Sequence, residues 1–358
     1  MKQPAGAPRS PPIRVLLLTG FLGAGKTTLL NRLLAAPAFA DAMVLVNEYG
    51  EIGLDQHLFG TSAVIPVTSG CVCCTVRGEL AFALEGLVRD IDNGRRGPVG
   101  LLVLETTGLA LPGPILTTLI AHPYLRLRYR LAGVVTAIAA DTLRDTLATY
   151  GEAAEQVASA DLVVVTKTDV GPFDAASRRA VREINPMAPT FDGVSGAGEV
   201  ADAVARLVTD PAAAAAGRLA SASGAFDGSH VSAFQTFTLL APQPVDKATL
   251  EAFLDQLAIR FGARVLRLKG LMALRGTPEG PVVVQAVQGA FALGPPLSSW
   301  PGGQRGGALT LIGRDLPESD IRRQFEAVAN ALQPDTPDAE AVFSNPLVVP
   351  GLRRAPNA

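Results

Sequence analysis

The chain has 358 residues, 48% hydrophobic and 18% charged, with a net charge of −2. That composition excludes global disorder, and the near-balanced charge excludes a broad basic field for nucleic acid. At about 150 residues per domain the length points to roughly two domains, whose cores rest on Ala, Val and Leu because aromatics are only 5%.

Residues 1–12 hold four prolines and no apolar run after Lys2, so they read as a flexible lead-in and not as a signal peptide. Ile13–Thr19 is a short apolar run that fits a buried parallel strand, and Thr27–Leu34 after it has helical spacing. Met43–Asn47, Val64–Thr68, Leu101–Glu105, Leu131–Ile138 and Leu162–Thr166 are further strand-like runs. Arg77–Asp90 and Thr142–Ala160 read as helices between them. The alternation predicts an α/β domain over 13–210, with a parallel sheet covered by helices on both faces. Residues 211–230, rich in Ala, Ser and Gly, read as a linker. Then the pattern changes: strands at Phe234–Leu240, Arg264–Leu274, Val282–Leu293 and Ala308–Gly313, with helices at Asp246–Arg260 and Glu318–Leu332. These predict a smaller α+β domain over 231–334, followed by a tail, 335–358. Apolar runs such as Val15–Leu18 are too short to span a bilayer, so no membrane association is expected.

Gly20-Phe-Leu-Gly23-Ala-Gly25-Lys26-Thr27-Thr28 matches G-x-x-x-x-G-K-[ST] between a strand and a helix. Glycines let successive backbone N–H groups turn inward around phosphates, and the helix N-terminus adds its dipole. Lys26 would reach the β and γ phosphates and the Thr27 hydroxyl a Mg²⁺ ion. In Leu101-Leu-Val-Leu-Glu105-Thr-Thr-Gly108 the four apolar residues put Glu105 at the C-terminal end of a buried strand, where open α/β sheets bind ligands. A carboxylate there can hold Mg²⁺ through water or orient an attacking water. Gly108 would let a backbone N–H approach the γ-phosphate.

Thr166-Lys167-Thr168-Asp169 resembles the N-K-x-D guanine signature with Thr in place of Asn. One carboxylate, Asp169, can accept both the N1–H and the exocyclic amine of guanine, whereas adenine offers no such donor pair. The Lys167 stem could pack on the base. Val194-Ser195-Gly196 is a weaker match to a loop backing the base.

The three cysteines, Cys71, Cys73 and Cys74, fall within four residues. Adjacent cysteines strain a disulfide, and such clustering suits reduced thiols in a cytoplasmic protein that bind a thiophilic ion such as Zn²⁺. The competing reading is three small buried hydrophobes at a strand end.

TGFLGAGKTTLLN (19–31), VNEYGEIGLD (46–55), GCVCCTVRGEL (70–80), ETTGLA (105–110) and TKTD occur in that order, and RLKGLMAL, VVVQAVQGAF and LIGRDL follow. With these the chain resembles the CobW-type metallochaperone GTPases, relatives of the nickel chaperones HypB and UreG, over about residues 13–334. The resemblance implies a P-loop GTPase domain that uses GTP/GDP and Mg²⁺ and whose nucleotide state is coupled to metal binding at the C-x-C-C site. It implies Zn²⁺ (or Co²⁺ or Ni²⁺) on Cys71, Cys73 and Cys74, with Glu48 and Glu51 as further carboxylates of a nucleotide-sensitive segment. It implies a metal-requiring client protein and leaves the oligomeric state open, a homo-oligomer included. A P-loop ATPase or small-molecule kinase with a structural zinc site is the alternative, and a non-catalytic metal-binding scaffold a third reading. Two departures from the family pattern stand out. Ala137-Ile-Ala-Ala140 lacks the Asp of V-V-D-A, Asp141 being displaced, and the linker has no His-rich stretch, His57, His122 and His230 being the chain's three histidines. Arg77, just after the cysteines, is a candidate activating arginine, though a surface charge at a helix start is the simpler reading.

Overall fold

The computed structural model describes residues 11–47, 64–66, 75–210, 234–277, 280–300 and 306–329. Expectations for the cysteines, Glu48, Glu51, the linker and both ends of the chain lie outside them.

The first domain runs β1 (Ile13–Gly20), α1 (Lys26–Leu34), β2 (Ala42–Asn47), β3 (Val64–Pro66), α2 (Thr75–Asp92), β4 (Leu101–Thr106), α3 (Pro112–Ala121), α4 (Leu125–Arg128) and β5 (Tyr129–Ala139). It continues with α5 (Leu143–Thr149), α6 (Gly151–Ser159), β6 (Leu162–Thr166), α7 (Ala175–Ile184), β7 (Thr190–Asp192) and α8 (Ala197–Thr209). Its strands form one seven-stranded parallel sheet in the order β3-β2-β4-β1-β5-β6-β7.

The apolar run of β1 is explained by burial on both faces. Successive side chains alternate across a strand. Leu16 and Leu18 pack with Leu29, Leu30 and Leu33 of α1 and Val204 and Leu207 of α8. Val15 and Leu17 pack on the other face with Leu84 and Leu87 of α2 and Ile115 and Leu116 of α3. The stretch expected to be one helix, 142–160, is broken. Ala140–Thr142 is a 3-10 turn, α5 follows, and Tyr150 is extended before α6. Gly151, a poor helix former, opens the second helix, and the Tyr150 ring stacks on Phe21 at 4.5 Å.

The second domain holds β8 (Gln235–Ala241), α9 (Lys247–Phe261), β9 (Val265–Met272), β10 (Val282–Val287), β11 (Ala290–Pro296), β12 (Gly307–Gly313) and α10 (Glu318–Ala329). Its antiparallel sheet has the order β11-β10-β9-β12-β8. The run 282–293, expected as one strand, is a hairpin. Gln288 and Gly289 take φ of 42° and 83°, two consecutive positive values of the kind that tight hairpin turns require.

One face of this sheet packs on α9 and α10 through Leu250, Leu254, Leu268, Leu309 and Phe325. The other meets the first domain, which is why β9 is buried along its whole length. Leu266 and Ile312 join Ala154, Val157 and Ala158 of α6, and Val287 joins the cluster of α2 and α3. At the centre of the interface Asp161, just before β6, accepts from Arg267 Nη2 at 2.9 Å and Lys269 Nζ at 2.5 Å, both on β9. It also accepts from the Val134 backbone N–H at 3.0 Å. Exposures of 4%, 1% and 6% for Asp161, Arg267 and Lys269 put the triad out of water.

Removing one partner of a buried ion pair strands the others. We expect Asp161→Ala to lower unfolding stability in urea by about 3–5 kcal/mol. A loss under about 1 kcal/mol, the range of exposed pairs, would contradict a dry interface.

Candidate functional site

Because the sheet is parallel, the C-terminal ends of its strands share one edge. The register sets Leu18 beside Glu105 and Gly20 beside Ala137. Gly20 has φ 146°, and a Cβ there would lie 2.3 Å from the Ala137 carbonyl oxygen, so no other residue fits where the chain leaves β1. Gly25, at φ 75°, is the left-handed residue that opens α1. Between them the loop curls back. The Lys26 ammonium donates to the carbonyls of Gly20 (3.0 Å) and Phe21 (3.2 Å). Gly23 lies on this loop, also at positive φ, and Thr28 is exposed on the first turn of α1.

The Thr27 hydroxyl donates to Glu105 Oε1 at 3.0 Å. Glu105, 5% exposed, therefore faces the phosphate loop from the end of β4. A hydroxyl and a carboxylate side by side form an all-oxygen donor set of the kind Mg²⁺ prefers, so the residues present fit that ion. Beyond Glu105, Gly108 presses on the loop: a Cβ would lie 2.6 Å from the Leu22 nitrogen. Below them the Thr106 hydroxyl donates to Thr19 Oγ1 at 2.9 Å, tying the two strand ends together.

The second half of the edge comes from β6. The Thr166 hydroxyl donates to the Ala24 carbonyl at 2.8 Å, so the strand end that opens TKTD is bonded to the phosphate loop. Lys167 takes a positive φ of 55°, and its carbonyl accepts from the N–H groups of Val170 and Gly171, closing a tight turn that leaves Asp169 exposed. Asp141, the displaced acid, has its backbone against Gly171, where a Cβ would come within 2.6 Å of its Cα.

A residue that sequence reasoning passed over organises this end. Asp192 Oδ1 accepts from the Thr168 hydroxyl (2.7 Å) and from the N–H groups of Val194 (2.8 Å) and Ser195 (3.0 Å). It joins TKTD to the Val194–Gly196 loop. Burial raises its carboxyl, but these donors outweigh that and hold it at about 2. Arg32 of α1 donates to the neighbouring Gly193 carbonyl at 2.7 Å. The available signal was Asp followed by Gly and Ser, an Asx-turn sequence.

The described residues include no group of three or more His, Cys, Asp or Glu that could hold a metal. Nor is any helix among them long and apolar enough to cross a membrane. The side chain of Arg77, at the start of α2, lies outside the description.

A seven-stranded parallel sheet with G-x-x-x-x-G-K-T between β1 and α1, and an acid at the end of β4 bonded to that Thr, is the fold of a P-loop GTPase. Residues 14–192 match the family model "CobW/HypB/UreG, nucleotide-binding domain", and residues 234–329 match "Cobalamin synthesis protein cobW C-terminal domain". The chain belongs to the CobW/HypB/UreG family. Among its relatives, "Zinc chaperone YjiA" of Escherichia coli (strain K12) is 31% identical over 323 residues, spanning 88% of this chain and 98% of the relative. "Zinc chaperone CobW" of Sinorhizobium sp is 29% identical over 359 residues, spanning 88% of this chain and 97% of the relative. The crystal structure of Zn(II)-bound YjiA GTPase from E. coli aligns with a TM-score of 0.63 at 26% identity, over 89% of this chain and 99% of that one.

Asp192→Ala removes three hydrogen bonds from one loop. We expect it to weaken nucleotide binding about tenfold, measured by calorimetry, while the melting temperature moves by only a few degrees. Because the folded value lies below the ordinary 3.8, the carboxylate's contribution is complete above about pH 4 and is lost as pH falls through about 2. Nucleotide affinity limited by this group should therefore be flat from pH 5 to 8; a step in that range absent from Asp192→Ala would contradict the assignment.

Proposed function

We propose that the chain is a GTP-hydrolysing metallochaperone that carries Zn²⁺, or a similar divalent ion, to a client protein, and that its nucleotide state sets its metal affinity and so drives the transfer. In this reading GTP lies along the sheet edge. Backbone N–H groups of Gly20–Thr28 and the Lys26 ammonium hold the β and γ phosphates, and Asp169 accepts the N1–H and amine of guanine. Lys167 packs on the base. Mg²⁺, bound through Thr27 and, through water, Glu105, would supply charge neutralisation at the phosphates. Glu105 also orients the attacking water, whose oxygen bonds to the γ-phosphorus as the bond to the β–γ bridging oxygen breaks; the water's protons stay with the released inorganic phosphate and the bridging oxygen leaves on GDP. The Lys26 ammonium draws off the negative charge that builds on that bridge.

The cargo site is Cys71, Cys73 and Cys74, with Glu48 and Glu51 as further carboxylates. Thiolates suit Zn²⁺ and also take Co²⁺ and Ni²⁺, so the donor set by itself does not fix the metal. Support comes from where the flanking elements stand. β3 ends at Pro66, on the same edge of the parallel sheet as the C-terminal end of β1, and α2 begins at Thr75, and in sequence the cysteines lie between the two. The names of the full-length relatives, zinc chaperones, support the cargo. The cell compartment we propose is the cytoplasm, in keeping with three clustered cysteines.

The observation that carries the nucleotide part is the Thr27–Glu105 hydrogen bond at 3.0 Å with Gly108 packed on the loop. Glu105→Gln should lower the GTP turnover number by about 10²-fold while leaving GTP affinity within a few fold. In the same assay ATP should compete poorly with GTP. Equal competition by ATP, or wild-type turnover by Glu105→Gln, would contradict the proposal.

A further inference from the structure

Helix α6 touches both the phosphate edge and the second domain, and two adjacent residues make the two contacts. Gln156 is fully buried. Its side-chain amide donates to the carbonyls of Gly108 (3.0 Å) and Ala110 (3.1 Å), both on the loop that follows Glu105. Using both amide hydrogens on carbonyls fixes the orientation of the group: turned over, its oxygen would face two oxygens. The Gln156 backbone carbonyl accepts from the Thr136 hydroxyl at 2.8 Å, so the helix is pinned to β5 at the same point.

The preceding residue, Glu155, pairs with Arg314 of the second domain at 2.8 Å. Arg314 also donates to the Gly151 carbonyl at 3.4 Å and lies over the Phe234 ring at 4.7 Å. A second contact runs in parallel. The Gln288–Gly289 turn of the β10–β11 hairpin lies on the start of α3, where a Cβ on Gly113 would come within 2.0 Å of the Gln288 side chain. The loop from Glu105 to Ala110 is thus held from above by Leu22 of the phosphate loop and from behind by Gln156, and α3 leads out of it under the hairpin. A shift of the Gly108–Ala110 stretch must either break the two Gln156 hydrogen bonds, leaving the buried Gly108 carbonyl without its Gln156 donor, or carry α6 along.

We propose that Gln156 is a positioning residue that ties the Glu105–Ala110 loop to α6 and, through the neighbouring Glu155–Arg314 pair, to the second domain. The docking of that domain's sheet then reports the state of the loop. The inference rests on the reading that this loop meets the terminal phosphate of GTP. By reciprocity, whatever binds the second domain's docked or shifted position would alter nucleotide affinity by the same factor.

The chain has one tryptophan, Trp300, and it packs with Leu271, Val283 and Leu297 on the second domain, beside the face turned to the first. The test uses the full chain. Trp300 emission is compared with GDP·Mg²⁺ and with a non-hydrolysable GTP analogue·Mg²⁺, nucleotide affinities are measured by calorimetry, and GTP turnover is followed in parallel. The variants are Gln156→Met, which keeps the volume and removes both donors, and Arg314→Ala. Wild type should give different emission with the two nucleotides. Both variants should bind GDP normally and lose that difference. Gln156→Met should also lower kcat on the order of tenfold with little change in KM, which a purely structural role would not do selectively. If Gln156→Met fails to fold, Arg314→Ala, whose side chain is one-third exposed, decides the matter from the other end. Retention of the wild-type emission difference in the folded variants would overturn the coupling. So would the absence of any difference in wild type with both nucleotides bound. Failure of the wild type to bind either nucleotide would instead overturn the underlying reading of the site, and the coupling with it.

Discussion

Strand β1 is paired on both edges and buried on both faces, and that constraint decides where everything else goes. Its register with β4 and β5 sets Leu18 beside Glu105 and, two residues on, Gly20 beside Ala137, so all of them lie at one edge of the sheet. At Gly20 the Ala137 carbonyl leaves no space for a side chain, so the chain must turn there in a conformation that only glycine adopts freely. The turn sets the start of α1, the start of α1 sets Thr27, and Thr27 meets Glu105. The buried Thr19–Thr106 hydrogen bond beneath them keeps the two strand ends from slipping apart. The chemistry proposed for the edge thus depends on core packing some residues away from any ligand.

A second constraint joins the halves of the molecule. The β9 strand carries a full complement of buried side chains, which an antiparallel sheet with one wet face would not need. Arg267 and Lys269 occupy positions that would point to solvent in an isolated domain, and both reach Asp161. Two buried cations on one carboxylate make poor cohesion by themselves, because desolvation offsets most of the attraction. Their physical effect is registry: only one placement of the second sheet satisfies Asp161, and the apolar contacts of Leu266 and Ile312 with α6 supply the cohesion. The two domains are therefore held at a defined geometry, with α6 as the element common to the interface and the phosphate edge.

Much of this was legible in the sequence where local chemistry and local structure coincide. The phosphate loop could be read because glycine spacing, the Lys-Thr pair and the flanking apolar strand all act within one short segment. Glu105 could be read because four apolar residues precede it. What failed did so for identifiable reasons. The break at Tyr150 is set by a ring stack with Phe21, far away in sequence. The Gln288–Gly289 turn hides in an apolar run because its two residues take positive φ without the Asn-Gly or Asp-Gly pair that usually signals it. Asp161 with Arg267 is a contact across 106 residues, and no periodicity announces such a pair. Asp192 is not singled out by the sequence, because its partner, Thr168, follows another strand.

In the proposed function nucleotide state and metal affinity are linked. The most direct test is Zn²⁺ affinity by competition with a chromophoric chelator, on the full chain with GDP·Mg²⁺, with a GTP analogue·Mg²⁺ and with no nucleotide, for wild type and Cys73→Ala. A coupling free energy of about 1–3 kcal/mol would appear as a roughly 5–150-fold difference between the nucleotide states. The account predicts a difference in that range for wild type and none for Cys73→Ala. Tight zinc binding that is the same in all three states would contradict it and leave the thiols as a structural knot on an ordinary P-loop enzyme.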